Sequence, residues 1–320
     1  MKIVVNGVSG LDQTPGLEPA MALAEVTFAG DAAALAESLP GTEILLGWDF
    51  RGNELEECWA HADALKWIHW CGAGVDAVLF PALIESNVVL TNSRGLFDRP
   101  MAEYVLALIL AQAKGLPLTL EKQKECIWSY RFSERVDTKR VVIVGVGSIA
   151  REIARLLQAV GFDVSGVGRT ERDGVPVFGH VRGEADLLNE VSTADWVVAI
   201  LPGLASTRGK FDDKFFRAMK PSGRFINLGR GISVDEEALR HALDEGQIAG
   251  AALDVFQSEP LPHESPLWDT PNLIISPHMS GDYEGYFEDL SRLFLENLAH
   301  YRGSKRLLNI VDKRAGYVRD

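Results

Sequence analysis

The run Arg140 to Ala150, R-V-V-I-V-G-V-G-S-I-A, constrains this chain more than any other stretch. Val141 to Val144 are four consecutive β-branched residues and make a short buried strand. Gly145 permits a tight turn, Gly147 admits a close backbone approach, and Ala150 keeps the third position of G-x-G-x-x-G/A small so that the next helix can pack on the strand. That helix, Arg151 to Val160, points its unpaired N–H groups at an anion such as a pyrophosphate. The stretch predicts a strand–turn–helix unit that binds a dinucleotide at the C-terminal edge of a parallel sheet, through Gly145, Gly147, Ser148 and Ile149.

The surrounding pattern supplies that sheet. Strands at 141–144, 163–167, 196–201, 224–228, 249–253 and 272–276 alternate with helices near 150–160, 184–191, 212–219 and 235–245, which predicts six parallel strands joined by right-handed crossovers. Residues 1–98 form a second alternating unit. Its strand-like runs are Ile3–Val5, Val26–Phe28, Ile44–Leu46, Trp67–Trp70 and Val88–Leu90, with helices over Asp31–Leu39 and Asn53–Ala64. Asp98-Arg99-Pro100 opens a helix that is apolar on nearly every face and stops at Gly115. A last helix from Tyr286 carries Leu290, Leu293, Phe294 and Leu298 at helical spacing, and Gly303 stops it. Since the second sheet is complete before it, this helix is expected to return to the N-terminal unit. The expected fold class is α/β: two Rossmann-like domains with doubly wound parallel sheets. A dinucleotide-binding domain, 99–284, is inserted into a discontinuous substrate (catalytic) domain, 1–98 plus 285–320.

Composition narrows the partners. At 320 residues the chain has room for two cores, and its net charge of −13 opposes nucleic acid or an anionic membrane surface. An anionic ligand must therefore be held by local cations and backbone N–H groups. Cys58, Cys71 and Cys126 have neither zinc spacing nor an even count, so each is read as a small buried hydrophobe in a reducing compartment, with no metal site expected. The apolar run Tyr104–Ala111 is too short to span a bilayer, and the run after Lys2 is too short for a signal peptide. The expected location is cytoplasmic.

Three side chains follow the ends of later strands, at the edge where ligands bind. Arg230 stands in N-L-G-R-G, Glu259 in A-L-D-V-F-Q-S-E-P and His278 in S-P-H-M-S-G. A guanidinium can grip a planar carboxylate with two parallel bonds. An imidazole can move a proton near neutral pH, and a carboxylate beside it can orient it and favour its charged form. Each residue alone could equally be an ordinary loop residue; the set in this order points to chemistry.

With these residues in view, the sequence resembles the D-isomer-specific 2-hydroxyacid dehydrogenases, the family of glyoxylate/hydroxypyruvate reductases and phosphoglycerate dehydrogenase. The resemblance covers nearly the whole chain. It rests on Gly72-Ala73-Gly74-Val75-Asp76, Gly145–Ala150, Leu201-Pro202 and Asn227-Leu228-Gly229-Arg230-Gly231. Ala252–Phe256 with Glu259-Pro260, Pro277-His278 and the tail Asn309–Lys313 complete the set. It implies that Arg230 holds the carboxylate and carbonyl oxygen of a small 2-oxoacid. His278 then protonates that oxygen, and Glu259 orients His278. The N–H groups of Ala73, Gly74 and Val75 would bind the substrate carboxylate. Asp254 would support the nicotinamide, with Leu201, Pro202, Leu228, Gly229, His278 and Ser280 also lining the cofactor. It further implies a homodimer and catalysis in a closing cleft. Trp48, Phe97, Arg99 and His69 are weaker pocket candidates, and His69 is read foremost as a packed strand histidine. The alternatives are a nucleotide-sensing corepressor-like protein and a formate- or phosphite-type dehydrogenase.

The end of the second sheet strand speaks to the cofactor. An NAD-specific protein places an acid there for the ribose hydroxyls. This chain reads Val167-Gly168-Arg169-Thr170, with no carboxylate to repel a 2′-phosphate, an arginine to pair with it and a threonine to donate a hydrogen bond. NADP is therefore expected in preference to NAD. The plainer reading pairs Arg169 with the neighbouring Glu171.

Overall fold

Short apolar runs become parallel strands where both sheet faces are covered. The computed structural model, which describes residues 1–319, gathers them into two sheets belonging to two compact units. One unit comprises Met1–Phe97 and the chain from Tyr283 onward; the other is Asp98–Asp282. The first sheet contains β1 (Lys2–Asn6), β2 (Glu25–Ala29), β3 (Ile44–Gly47), β4 (Trp67–Trp70) and β5 (Val89–Asn92), parallel and in the order β2-β1-β3-β4-β5.

Alternation along these strands assigns the two faces. Val4, Leu45, Ile68, Trp70 and Leu90 share one core with Leu35 and Leu39, on the helix Ala32–Ser38 and at its C-terminal cap. Asp31 caps that helix by accepting the Ala34 N–H at 2.8 Å. On the opposite face, Trp67 stacks against Phe294 at 5.5 Å and Tyr301 at 5.4 Å, both from the helix Tyr286–Arg302. The C-terminal helix thus covers a sheet built from the first residues of the chain. The expected helix over Asn53–Ala64 is shorter than read. It spans Glu54–Cys58 and tightens into a 3₁₀ turn over Trp59–His61, since its acidic first turn buries only Leu55 and Cys58.

The second unit begins with the helix Asp98–Ala113, which buries Met101, Ala102, Val105, Leu108, Ile109 and Ala113. Gly115, at φ 60°, ends it, and a further helix, Leu116–Lys124, leaves at a 60° bend and buries none of its residues. The sheet has eight strands, not six: β6 (Arg140–Val144), β7 (Asp163–Val167), β8 (Arg172–Val175), β9 (Gly179–Arg182), β10 (Trp196–Ala199), β11 (Arg224–Asn227), β12 (Gly250–Leu253) and β13 (Leu273–Ile275). Their order is β13-β12-β11-β10-β6-β7-β9-β8, and only β8 runs antiparallel to its neighbour. The β8–β9 hairpin escaped the sequence reading because Val175 and Val181 are its only buried residues. Cys126 also differs from expectation: it is exposed, while Cys58 and Cys71 are buried, and all three are free thiols. Among the described residues no single helix is long and apolar enough to cross a membrane, although Asp98–Ala113 and Leu116–Lys124 together, across their bend, reach that length and apolarity.

Candidate active site

The strand order places the ends of β11, β12 and β13 side by side, so the loops bearing Arg230, Glu259 and His278 leave one edge of one sheet. Each loop is fixed by its own residues. Asn227 accepts the Gly229 N–H at 3.0 Å and donates from Nδ2 to the Arg230 carbonyl at 3.2 Å, which also accepts the Ser233 hydroxyl at 2.7 Å. Gly231 must be glycine, because a Cβ there would lie 1.9 Å from the carbonyl carbon of Phe256. The Arg230 loop thereby rests on the backbone that leads to Glu259. The Phe256 N–H in turn donates to Glu259 Oε1 at 2.9 Å.

The other carboxylate oxygen of Glu259, Oε2, lies 2.6 Å from His278 Nδ1. Both side chains are partly open to solvent, 27% for Glu259 and 23% for His278. Burial pushes the Glu259 carboxyl up, but the hydrogen bonds from His278 and Phe256, with the charges of His278 and Arg230, outweigh it and hold the group below its ordinary value. A carboxylate anchored at both oxygens fixes the imidazole through Nδ1. His278 itself has φ 53°, a left-handed conformation that costs a non-glycine residue about 1 kcal/mol or more.

Asp254 sustains that conformation. Buried at the end of β12, its Oδ1 accepts the Ser276 hydroxyl at 2.6 Å and the Met279 N–H at 3.0 Å, while Oδ2 accepts the Ser280 N–H at 2.9 Å. The carboxylate and the Ser280 N–H are therefore committed to the His278 loop from both sides. Asp254 acts on this site as the clamp of a strained turn.

The glycine-rich turn fits an anionic dinucleotide. Gly145 has φ 105°, and a Cβ on it would stand 2.3 Å from the Ile200 carbonyl oxygen. A Cβ on Gly147, by contrast, would meet open space. Gly147 precedes the helix Ser148–Val160, whose N-terminus has no side-chain cap, so N–H groups there are available to a ligand. The helix begins at Ser148, three residues earlier than its apolar pattern indicates, and the Ser148 hydroxyl donates to Asp98 at 3.1 Å. Gly229 brings the end of β11 against the chain after β10, where its Cβ would come within 2.7 Å of Leu201 backbone atoms. Leu201, Pro202, Leu228 and Gly229 are thus close neighbours in the chain's fold.

At the end of β7, Gly168 is half-buried while Arg169 and Thr170 are exposed. Arg169 makes no hydrogen bond or ion pair among the described residues. The expected partner is taken: Glu171 lies 3.0 Å from His180 Nε2 and 3.4 Å from Arg182. Sequence reasoning missed a second cation. Arg172, on the unforeseen hairpin, brings a guanidinium nitrogen within 3.8 Å of where a Gly168 side chain would start.

In the first unit, the N–H groups of Ala73, Gly74 and Val75 go to no backbone carbonyl among the described residues. Trp48 is buried and stacks on Phe287 at 5.7 Å, and Phe97 is buried. Arg99 is engaged on a helix surface by Glu103 at 2.6 Å and Glu152 at 3.5 Å. His69 is a packed strand histidine: it is fully buried, with Nδ1 2.9 Å from the Thr91 hydroxyl. No cluster of His, Cys, Asp or Glu among the described residues is arranged to hold a metal ion.

Known proteins resemble this chain in sequence and fold. A family model described as "D-isomer specific 2-hydroxyacid dehydrogenase, NAD binding domain" matches residues 106–280. Glyoxylate/hydroxypyruvate reductase B of Pectobacterium carotovorum is 32% identical over 279 residues, covering 83% of this chain and 82% of that protein. Glyoxylate/hydroxypyruvate reductase A of Serratia proteamaculans is 31% identical over 266 residues, covering 78% and 84%. Among solved structures, an NADPH-dependent glyoxylate/hydroxypyruvate reductase from Sinorhizobium meliloti, in complex with NADP and sulfate, superposes with a TM-score of 0.85. It is 29% identical, with 99% of this chain and 100% of that one covered.

Proposed function

The chain belongs to the D-isomer-specific 2-hydroxyacid dehydrogenases, and within that family we propose that it is an NADP-preferring reductase of a small 2-oxoacid of the glyoxylate or hydroxypyruvate class. The observation that carries this reading is the Glu259–His278 pair, set beside Arg230 at one sheet edge and clamped there by Asp254. A bound reduced nicotinamide supplies the hydride. Arg230 holds the oxoacid's carboxylate and carbonyl oxygen, and His278 gives the Nε2 proton to that oxygen, so the carbonyl becomes the hydroxyl of a D-2-hydroxyacid. The N–H groups of Ala73, Gly74 and Val75 are the substrate-carboxylate donors of the first unit. Residues 1–97 with the C-terminal segment are thus read as the substrate domain and 98–282 as the dinucleotide domain.

NADP preference is supported by the missing acid at Gly168 and by the cations Arg169 and Arg172 at the same turn. Thr170 adds a hydroxyl. The NADP- and NADPH-bound relatives from Sinorhizobium meliloti and Xanthobacter autotrophicus point the same way. Three free cysteines fit a reducing cytoplasm. A homodimer belongs to this reading too. Trp128, Phe132 and Tyr130, exposed at 98%, 91% and 81%, are large rings that a partner surface would cover. The deciding experiment is a panel of 2-oxoacids with NADPH and with NADH, following loss of the reduced cofactor. Turnover of a small oxoacid, faster with NADPH, is the expected result; tight NADPH binding with no turnover of any oxoacid would overturn it.

A further inference from the structure

The loop assigned to the substrate carboxylate owes its shape to residues far from it in sequence. A trans peptide holds its C=O and N–H on opposite sides of one plane, so anchoring the carbonyl aims the N–H of the next residue the other way. Among the described residues the only cis bond is Glu259-Pro260, so the bonds through Gly72, Ala73 and Gly74 are trans. Two carbonyls of this loop are anchored. The Ser93 N–H donates to the Gly72 carbonyl at 3.0 Å, which turns the Ala73 N–H away from Ser93. The Asn92 side chain donates from Nδ2 to the Ala73 carbonyl at 2.6 Å, which turns the Gly74 N–H away from Asn92.

Asn92 and Ser93 are buried at the end of β5, and the C-terminal tail holds them there. Asn309 donates from Nδ2 to the Asn92 carbonyl at 3.2 Å and to the Arg94 carbonyl at 2.8 Å, while its own carbonyl accepts the Asn92 N–H at 3.2 Å. The tail is itself fastened: the Val311 N–H donates to the Leu90 carbonyl at 2.8 Å. The Lys313 ammonium donates to the carbonyls of Leu83, Ser86 and Val88 at 2.7, 2.8 and 2.9 Å. We propose that Asn92 is a positioning residue of the substrate-carboxylate loop, and that Asn309 in the tail completes it by locking Asn92 in place. Neither side chain needs to touch substrate. Their effect is to pre-orient two backbone donors, whose alignment otherwise costs binding free energy.

This inference rests on the carboxylate reading of residues 73–75, and the experiment separates the two. Wild type, Asn92→Ala and Asn309→Gly are compared by KM for the oxoacid, by Ki for oxalate (a dicarboxylate that cannot be reduced here), by kcat and by KM for NADPH. Melting curves report folding. Glycine suits position 309 because Asn309 has φ 55°. Asn92→Ala should raise oxoacid KM and oxalate Ki together, by roughly ten- to hundredfold, the loss of one well-aligned bond to a charged group. Asn309→Gly should do so by about two- to tenfold. In both, kcat and the NADPH KM stay at wild-type values. A variant that loses its melting transition is set aside, and the other decides. Unchanged KM and Ki, or a fall in kcat alone, would overturn the positioning role while the carboxylate reading stands. If oxalate fails to compete with the oxoacid in wild type, the carboxylate reading falls and takes the proposal with it.

Discussion

Replacing Glu259 with glutamine tests the proton-transfer pair most directly. The native carboxylate accepts twice, from Phe256 N–H at 2.9 Å and from His278 Nδ1 at 2.6 Å. Glutamine is nearly the same size but has one acceptor oxygen. If that oxygen stays on the Phe256 N–H, its NH₂ group faces His278 Nδ1, and two donors then oppose one another. The ring must give up the Nδ1 proton and turn neutral, a poor acid for a carbonyl oxygen. Loss of a charged hydrogen bond is worth about 1.5–3 kcal/mol, or roughly ten- to hundredfold in rate. Loss of the acid form carries the fall in kcat toward the ~10²–10⁴ that general-acid catalysis supplies. Oxoacid KM should hold, since Arg230 is untouched. Glu259→Asp keeps the charge on a shorter arm and should lose less, while His278→Ala marks the floor. The assay is steady-state oxidation of NADPH across the neutral range. There is a stability counterpart. A carboxyl held below its ordinary value adds stability above that range and loses it as pH falls through the folded value, so the glutamine variant should show a weaker acid-side loss. Wild-type kcat in Glu259→Gln would refute the reasoning and remove the pair from the proton path.

The remaining predictions concern the cofactor turn, the buried histidine and the exposed rings. Arg169→Ala should raise KM for NADPH by about ten- to hundredfold and leave that for NADH nearly unchanged. Equal movement of both would dissociate Arg169 from the 2′-phosphate. Arg172→Ala should act in the same direction. Burial pushes the His69 ring down to about 3, and its Nε2 is enclosed without a partner among the described residues. The unfolded chain, titrating near 6.5, binds the proton first. Stability is therefore full above about pH 6.5 and falls by about 1.4 kcal/mol per pH unit as pH drops toward 3. Urea titrations of His69→Gln should show a shallower acid slope, and an unaltered slope would assign it to other groups. Sedimentation should find a wild-type dimer that Trp128→Ser with Phe132→Ser weakens; a monomer at every concentration would discard the homodimer.

The parts of this molecule that sequence makes legible are those where side chains carry the signal. Val141–Val144 and the glycines after them announce the strand and its turn, and Arg230, Glu259 and His278 stand out because each follows a strand of the same sheet. The β8–β9 hairpin is silent because it lies at a sheet margin and buries one valine per strand. Leu116–Lys124 is silent because L-P-L-T-L alternates where a packed helix would show a stripe. At the site, the unread contributions come from backbone groups: the Phe256 N–H on Glu259 and the carbonyls of Gly72 and Ala73. The role of Asp254 is equally silent in sequence, since only the fold brings the N–H groups of Met279 and Ser280 to it.

The enclosure of Trp67 between Phe294 and Tyr301 has a consequence for how the protein is made. Ile3, Val5, Ile44 and Leu46 lie beside Trp67 and His69 on that sheet face, which the C-terminal helix covers. The ribosome releases these strands before the covering helix, with Asp98–Asp282 translated between. At about 5–20 residues per second, that interval is on the order of 10–40 s. The middle unit is continuous in sequence and can close as soon as it emerges. The first unit cannot, and its bare tryptophan-bearing face is where a nascent chain would engage a holding chaperone or aggregate. A mutation that slows docking of Tyr286–Arg302 should therefore lower soluble yield well before it lowers the activity of the molecules that do fold.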